Sequence, residues 1–317
     1  MALIALWGNK MDKIGFIGLG RMGLSMAANI VKSGTDVWGF DTQTAQTAAF
    51  KQRGGHLCAS IADVAAQSDI IITMLPNSEI VEAVIAGPGG VLSTAKAGAT
   101  IMDMSTVRPE TSDKMAALCL KQNIGFIDAP VGRLASHADA GQSLFMVGGE
   151  VSDFDRVLPL LNVMGSEIYH CGPAGAGTRT KLVNNFLAIS YCQMNAEALA
   201  LTAKFGLDLD STLDVLYGTT ATNGQLKIAW PAKVLNHDSE PGFTIDLAHK
   251  DLTLVVEAAN AAQVPMPMAA AAREAFSSAR ARGFGGKDFS GMLEAHCELT
   301  GSDVPRLSHN SRHKSGS

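Results

Sequence analysis

Several features are scarce in this 317-residue sequence, and each scarcity excludes a class of protein. Only five cysteines occur and none forms a CxxC pair, so a disulfide scaffold and a zinc ribbon are both excluded and a reducing compartment is expected. No apolar run approaches the roughly 18 residues that a membrane-spanning helix needs. Basic residues are not in excess, with 25 against 30 acidic ones, so no counterion release would drive nucleic-acid binding.

The two ends of the chain carry little structural signal. The opening MALIALWGNK lacks the pattern of a signal peptide, and either Met1 or Met11 could be the true start. Residues 302–317 are polar and are predicted to form a disordered tail. Side chains with metal-ligand spacing do not occur, so no metal is expected. The remaining composition, 47% hydrophobic and 17% charged, is that of a globular chain with room for two cores, and the expected compartment is the cytoplasm.

The motif G-x-G-x-x-G at residues 18–23 is the first indication of a ligand. It follows a predicted strand at 13–18 and begins a predicted helix at 22–33. Such glycines allow a tight turn and let a pyrophosphate approach the helix N-terminus, where backbone N–H groups bind anions. A glycine turn without any nucleotide is the alternative interpretation. The predicted cofactor contacts in this turn are Gly18, Gly20, Arg21, Met22 and Gly23.

An acidic residue follows at the spacing that a dinucleotide site requires. Asp41 ends the second predicted strand, at 36–41, and lies 18 positions after Gly23, close to the roughly 20 expected. Its carboxylate would accept hydrogen bonds from the adenosine ribose. No Arg or Lys occurs between Asp41 and Lys51 to bind a 2′-phosphate, so the sequence favours NAD over NADP.

Two further predicted strands, at 69–75 and 100–104, end in polar loops. In an open parallel sheet, ligands lie beyond the carboxyl ends of the strands. Ordinary loop and cap chemistry explains these residues equally well from position alone. The candidate cofactor contacts in the two loops are Leu75, Pro76 and Thr106.

The pattern changes from mixed to purely helical near residue 175. Strands are predicted at 125–131, 143–149 and 167–171, and helices at 194–205, 210–217, 245–262 and 268–281. The fold class is therefore α/β, a Rossmann-type doubly wound sheet followed by an all-α C-terminal domain. We place an NAD-binding domain at 12–174 and a helical substrate and dimerisation domain at 175–301. Alanine-rich helices in the second domain suggest a homodimer or homotetramer.

A lysine lies where the two predicted domains meet. In the stretch 171–201 a glycine-rich turn precedes about seven turns of predicted helix, with Thr178 as N-cap and Lys181 in the first turn. Asn184 and Asn185 lie three and four residues after Lys181, on neighbouring parts of one face. These three side chains could give one small polar ligand a proton donor and hydrogen bonds. A solvated surface lysine is the plainer interpretation of this stretch alone, but the cleft between domains is a usual location for a site.

Seven segments resemble the β-hydroxyacid dehydrogenase family, and the resemblance extends from residue 13 to about 301. They are GFIGLGRMG (15–23), MLP (74–76), DMST (103–106), DAPV (128–131), FMVGG (145–149), GAGTRTKLVNN (175–185) and HKDL (249–252). The resemblance implies a Rossmann domain, a helical domain, and Lys181 as the catalytic residue of a K-x-x-N-N motif. It also implies that Asn185 and Lys250 lie against substrate and nicotinamide.

One segment departs from the wider family. Most members carry Ser-Gly-Gly after DAPV, where amides hold a carboxylate, whereas this chain has Gly-Arg-Leu at 132–134. P-V-G-R looks like the sulfolactaldehyde reductase branch, in which this arginine meets a sulfonate, although Ala135 and Ala188 stand where that branch is expected to have hydroxyl groups. An arginine fork suits an anion, while a surface salt bridge is the alternative interpretation of Arg133. The predicted substrate contacts are Gly132, Arg133, Asn184, Asn185, Ala188 and Lys250.

The sequence therefore predicts NAD(H)-dependent reduction of a short acidic aldehyde to its hydroxy acid. The first choice of substrate is 3-sulfolactaldehyde, giving 2,3-dihydroxypropane-1-sulfonate. The alternatives within the family are 3-hydroxyisobutyrate, tartronate semialdehyde and 4-hydroxybutyrate or succinic semialdehyde. A non-catalytic NAD-binding scaffold is a further alternative, against which Lys181 and the Asn184-Asn185 pair count. An imine reductase is a third, but those relatives replace the lysine.

Overall fold

The computed structural model describes residues 12–314 and divides into two compact units between Lys181 and Leu182. This division lies seven residues beyond the boundary predicted at 174/175. The choice between Met1 and Met11 as the start falls outside the described residues.

Within residues 12–314, nine strands form one sheet in the first unit. They are β1 (Ile14–Ile17), β2 (Val37–Phe40), β3 (His56–Leu57), β4 (Ile70–Thr73), β5 (Thr100–Asp103), β6 (Gly125–Asp128), β7 (Val131–Gly132), β8 (Ser143–Gly148) and β9 (Gly165–Gly172). The order is β3-β2-β1-β4-β5-β6-β8-β7, with β9 paired to β8. Strands β1 to β6 run parallel, and β8 runs antiparallel to β6 and β7.

Helices connect these strands and cover both faces of the sheet. They are α1 (Arg21–Lys32), α2 (Thr44–Gln52), α3 (Ile61–Gln67), α4 (Ser78–Ala86), α5 (Pro109–Lys121), α6 (Ala135–Asp139) and α7 (Val151–Met164). The strand order reverses between β1 and β4, and the crevice at such a switch point is where doubly wound sheets bind ligands. Gly18 follows β1 and Met74 follows β4, so the predicted glycine turn lies at this point.

Alternating side chains on the strands build two cores. Ile70 and Ile72 pack in one buried cluster and Ile71 in another, on the opposite face. This period of two, with every position buried, explains why the strands appear in the sequence as continuous apolar runs. The predicted strand at 125–131 is interrupted instead. β6 ends at Asp128 and β7 begins at Val131, because Pro130 has no N–H for the ladder.

A single 29-residue helix, α8 (Ala176–Lys204), contains the division between the units. It includes all but the last residue of the segment predicted separately as a helix at 194–205. It also begins two residues before Thr178, so the prediction that Thr178 is its N-cap is wrong. Lys181 consequently lies in the second turn and not in the first.

The second unit is helical, which confirms the predicted fold class. Its remaining helices are α9 (Leu209–Tyr217), α10 (Trp230–Ala232), α11 (Ile245–Ala261), α12 (Pro267–Ala281) and α13 (Met292–Thr300). Trp230, Leu252 and Phe276 are fully buried at the centre of its larger core. A smaller cluster joins α8 to α11 and α12 through Leu182, Leu254 and Ala269.

The segment after α13 packs on the second unit, contrary to the disorder predicted for the tail. Leu307 is 4% exposed, and its N–H donates to the carbonyl of Leu235 over 2.8 Å. Arg306 pairs with Glu294 at 2.6 Å. The prediction rested on the polar composition of this segment and did not consider Leu307, whose burial anchors it. The last three residues of the chain lie outside the described part.

Across the described part of the chain, we find no helix with the length and apolar character needed to cross a membrane.

Candidate active site

The glycine turn between β1 and α1 has room for a ligand at one glycine and requires close packing at the other two. Gly18 has φ +95°, and a Cβ there would lie 2.3 Å from the carbonyl oxygen of Met74. A Cβ on Gly23 would lie 2.0 Å from the carbonyl oxygen of Gly18, whereas a Cβ on Gly20 would meet no atom within 4 Å. Gly20 caps α1 without a side-chain hydrogen bond. Open space beside a helix N-terminus that has no side-chain cap fits a pyrophosphate.

Asp41 lies immediately after β2 and connects that strand to the glycine turn. One carboxylate oxygen accepts the N–H of Leu19 and the other accepts the N–H of Gln43, each over 2.7 Å. The side chain is half-buried and keeps further lone pairs for the hydroxyls of a ribose. The residues of the glycine turn and Asp41 therefore fit an NAD-type dinucleotide, and the ribose contact of Asp41 stays a prediction.

Arg21 has a carboxylate partner within the first unit. Its guanidinium binds Asp139 in a fork at 2.9 and 2.7 Å, and Ser25 donates to the same carboxylate. Arg21 and Ser25 together hold the pKa of Asp139 down, at about 2. The pair links the first residue of α1 to the last residue of α6. The side chain of Arg21 makes this link, and its predicted contact with the cofactor stays a prediction.

The other predicted cofactor contacts of the first unit lie at the same edge of the sheet. The side chain of Met22 packs against a core cluster, so only its backbone, in the first turn of α1, can face a ligand at the helix N-terminus. Pro76 is exposed after β4, and Thr106 is half-buried after β5.

A buried hydrogen-bond relay fixes the loop that carries Leu75. The N–H of Leu75 donates to Ser105 Oγ over 2.9 Å, and that hydroxyl donates to Asp103 over 2.6 Å. Thr73 donates to the same carboxylate oxygen over 2.7 Å. Burial raises the pKa of Asp103. The sequence motif DMST pointed to this loop, but the supporting roles of Asp103 and Ser105 were not predicted.

Asp128 caps α8 from the end of β6. One of its oxygens accepts the N–H of Gly175 and the other accepts the N–H of Thr178, each over 2.6 Å. Burial raises the pKa of Asp128 to about 6, against the opposite effect of these two donors. The hydroxyl of Thr178 also bonds to Ser112 over 2.8 Å. The capping residue is thus a carboxylate far away in the sequence.

Lys181 extends from the second turn of α8 to the segment that follows Asp128. Its Nζ donates to the carbonyl oxygen of Val131 over 2.6 Å, and the side chain is half-buried. The ammonium group is therefore held beside β7, two residues before Arg133.

Arg133 has protein partners and an uncommon backbone conformation. Its Nη1 donates to the carbonyl oxygen of Gln142 over 2.7 Å and to Ser166 Oγ over 2.8 Å, and Glu167 lies 4.0 Å away. One third of the side chain stays exposed. Its φ is +73°, in the left-handed region. The preceding residue, Gly132, is buried in β7. These contacts match the salt-bridge alternative, and the substrate role of Arg133 stays a prediction.

The second unit gathers the predicted amides around a carboxylate that sequence reasoning missed. Asn185 is buried and donates to Asp251 over 2.7 Å, while Lys250 lies 3.0 Å from the other oxygen of Asp251. Asn184 donates to the side-chain oxygen of Asn185 over 3.2 Å. Ala188 is half-buried, close to one turn further along α8. Asp251 stands in the HKDL segment beside Lys250, and that adjacency was the only available sequence signal.

No group of three or more His, Cys, Asp or Glu side chains within residues 12–314 could hold a metal ion.

Comparison with known proteins assigns both halves of the chain. Residues 13–172 match the family model for the NAD-binding domain of 6-phosphogluconate dehydrogenase. Residues 175–296 match the family model described as NAD-binding of NADP-dependent 3-hydroxyisobutyrate dehydrogenase. The 2-(hydroxymethyl)glutarate dehydrogenase of Eubacterium barkeri is 41% identical, covering 93% of this chain and 98% of its own. The 3-sulfolactaldehyde reductase of Escherichia coli is 40% identical, covering 90% and 95%.

A solved structure agrees with these matches. The 3-hydroxyisobutyrate dehydrogenase of Mycobacterium tuberculosis superimposes with a TM-score of 0.85 at 32% identity, covering 90% of this chain and 99% of that one. The chain belongs to the β-hydroxyacid dehydrogenase family and is an NAD-binding oxidoreductase.

Proposed function

We propose that this protein reduces a short aldehyde carrying an acidic group to the corresponding hydroxy acid, with NADH as the reductant. The observation that carries the proposal is the position of the Lys181 ammonium, held at 2.6 Å on the Val131 carbonyl. The same unit offers a dinucleotide the N-terminus of α1, which has no side-chain cap, and Asp41. A proton donor and a dinucleotide cradle are the two parts that carbonyl reduction needs.

The chain's own residues divide the work as follows. When bound, the nicotinamide supplies the hydride. Lys181 Nζ donates a proton to the oxygen that becomes the alkoxide, and in the reverse direction it accepts that proton. The Val131 carbonyl orients the ammonium. Asn184 and Asn185, on the next turn of α8, hydrogen-bond the substrate, and the Asp251 carboxylate fixes the amide orientation of Asn185.

For the substrate we propose 3-sulfolactaldehyde, with Arg133 binding the sulfonate. Support comes from the arginine that replaces glycine in the wider family, and from the 40% identity to 3-sulfolactaldehyde reductase. An equally similar relative is named 2-(hydroxymethyl)glutarate dehydrogenase, so a carboxylate substrate is the alternative. Both substrates carry an anion, which a guanidinium binds.

A panel of substrates tests this choice. 3-Sulfolactaldehyde, succinic semialdehyde and methylmalonate semialdehyde would be compared for reduction, and 2-(hydroxymethyl)glutarate for oxidation. We expect the highest kcat/KM with the sulfonate. A carboxylate substrate that exceeds it by tenfold or more would move the assignment to that acid. Absence of turnover with every acid would favour the non-catalytic scaffold.

Replacement of the lysine tests the mechanism. General acid catalysis contributes about 10²- to 10⁴-fold, so Lys181→Ala should lower kcat by that factor. The NADH dissociation constant, measured by fluorescence titration, should change little because the dinucleotide cradle is unaltered. Lys204→Ala, at the other end of the same helix, is the matched control and should keep normal turnover. Near-normal kcat in Lys181→Ala would exclude the proposed mechanism.

We also propose that the protein is a homodimer, or a homotetramer built from dimers. Its alanine-rich helices suggested this, and an exposed apolar stripe on α8 supports it. The stripe consists of Val183, Leu187, Met194 and Leu201, continued by Phe205 directly after the helix.

A further inference from the structure

The short segment 128–131 contacts α8 at two places. The Asp128 carboxylate holds the N–H groups at the helix start, and the Val131 carbonyl accepts from Lys181 Nζ. Both contacts have donor–acceptor distances of 2.6 Å. The helix and the acceptor of its lysine are therefore positioned by the same four residues.

The first of these contacts, between Asp128 and the start of α8, is buried and closely packed. Asp128 is 1% exposed and Thr178 is 2% exposed. A Cβ on Gly177 would lie 2.2 Å from the Met146 carbonyl, and a Cβ on Gly148 would lie 2.4 Å from the Asp128 carboxylate. Only glycine at these two positions lets the helix start approach the strand ends so closely. The segments DAPV, FMVGG and GAGT, scattered along the sequence, thus form one joint.

Charge favours this arrangement. The start of a helix carries orphan N–H groups and a partial positive charge, both of which a carboxylate satisfies. Each oxygen of Asp128 holds a different N–H, so the helix can neither slide nor rotate without breaking one bond. Lys181 follows Thr178 by about one turn, and a displacement at Thr178 is transmitted to Nζ. Misplacement of a catalytic group by about 1 Å can cost 10²-fold in rate.

We propose that Asp128 is a positioning residue for Lys181. It fixes the position of α8 along the helix axis, so that Nζ hydrogen-bonds the Val131 carbonyl and can protonate the substrate oxygen from there. The Asp128 carboxylate bonds Gly175 and Thr178 at the start of α8, whereas the dinucleotide cradle is formed by the glycine turn and Asp41. The inference rests on the proposed function of Lys181 and extends it to a residue of a different element.

Asp128→Asn tests the proposal directly. The carboxamide keeps one acceptor but turns an NH₂ group toward an N–H donor, so one of the two bonds is lost. We expect kcat to fall by about 10- to 100-fold, with the NADH dissociation constant within about twofold of wild type. Ser112→Ala is the matched control, because it removes the buried hydroxyl bond to Thr178 without touching the backbone cap. It should leave kcat within about threefold.

A double-mutant comparison separates positioning from general damage. If Asp128 acts through Lys181, Asp128→Asn should have little further effect on kcat when Lys181 is already alanine. Equal losses on both backgrounds, or a Ser112→Ala variant that matches the loss, would overturn the proposal. So would an Asp128→Asn enzyme with normal kcat.

Two outcomes separate this inference from the proposed function. Near-normal turnover in Lys181→Ala overturns both, whereas a slow Lys181→Ala with a normal Asp128→Asn overturns only the positioning role. If Asp128→Asn does not fold, Asp128→Glu keeps both acceptors and pushes the helix start outward by one methylene. Its kcat should then fall with the NADH affinity retained, and a normal kcat in that variant would also overturn the proposal.

Discussion

Arg133 has a backbone conformation that arginine seldom adopts. A left-handed residue other than glycine costs about 1–2 kcal/mol, and such strain persists at sites where a particular side chain is needed. The strain at Arg133, with φ +73°, would be relieved by glycine. The contacts to Gln142 and Ser166 hold the guanidinium near β8 and β9 but leave a third of the side chain exposed. The backbone strain supports the proposed ligand role of Arg133, whereas the contacts alone match the salt-bridge alternative.

Arg133→Gly should therefore remove the guanidinium while relieving the backbone. Losing a charge-assisted pair to the substrate anion costs about 2–4 kcal/mol, which is roughly 30- to 1000-fold in kcat/KM. Arg133→Lys should recover only part of this, because an ammonium lacks the planar fork. Arg282→Ala, an ion-paired arginine of the second unit, serves as control.

Steady-state kinetics with matched substrates decides the question. A neutral aldehyde of similar size should be reduced about equally by Arg133→Gly and wild type, while acidic aldehydes lose most of their rate. If Arg133→Gly left kcat/KM unchanged for every acidic aldehyde, Arg133 would serve only its contacts within the protein. The proposal of a sulfonate substrate would then lose its support from this residue.

At the scale of elements, the strands were more predictable than the joints between them. Strands β1, β4 and β5 were placed within two residues, since buried parallel strands appear as apolar runs bounded by polar residues. The start of α8 was misplaced because its cap, Asp128, is 47 residues from Gly175 and leaves no local pattern. Asp251 was missed for the same reason, being 66 residues from Asn185. Long-range hydrogen bonds to carboxylates such as these are a property of the fold and not of a sequence window.

The joint between β2 and the glycine turn gives a prediction about the cofactor. Asp41 holds the N–H of Leu19 and would also bind the ribose, and its charge repels a 2′-phosphate. The wild-type enzyme should therefore prefer NADH over NADPH by well over tenfold in kcat/KM. Asp41→Ala should weaken the binding of NADH and reduce the ratio of kcat/KM for NADH to that for NADPH. Equal kcat/KM for the two cofactors in the wild type would contradict the assignment.

Asp41→Asn is the useful companion variant. It keeps an acceptor for the Leu19 N–H but removes the charge, so it should narrow the preference while disturbing the turn less than alanine does. Thermal unfolding of both variants would show how much of any loss comes from the turn itself.

At the scale of the whole molecule, the exposed apolar side chains are unevenly distributed. On α8 and directly after it, five large apolar residues are between 44% and 67% exposed: Val183, Leu187, Met194, Leu201 and Phe205. They are spaced symmetrically about Met194, at seven and eleven residues on either side. Seven and eleven residues are close to two and three helical turns, so all five share one face. Antiparallel pairing with a second copy would place Met194 against Met194, Leu187 against Leu201 and Val183 against Phe205. A two-fold interface requires such reciprocal contacts.

Met194→Glu should therefore separate the copies. The two-fold axis would bring the introduced carboxylates together, and like charges in an interface cost several kcal/mol, a weakening of association by 10²-fold or more. Sedimentation velocity at micromolar concentration should show the mass of the wild type reduced at least by half. Leu120→Glu is the control, since Leu120 is 79% exposed on α5 and outside the stripe, and it should keep the wild-type mass. A Met194→Glu variant with that same mass would place the contact between copies elsewhere, and a monomeric wild type would exclude a homo-oligomer altogether.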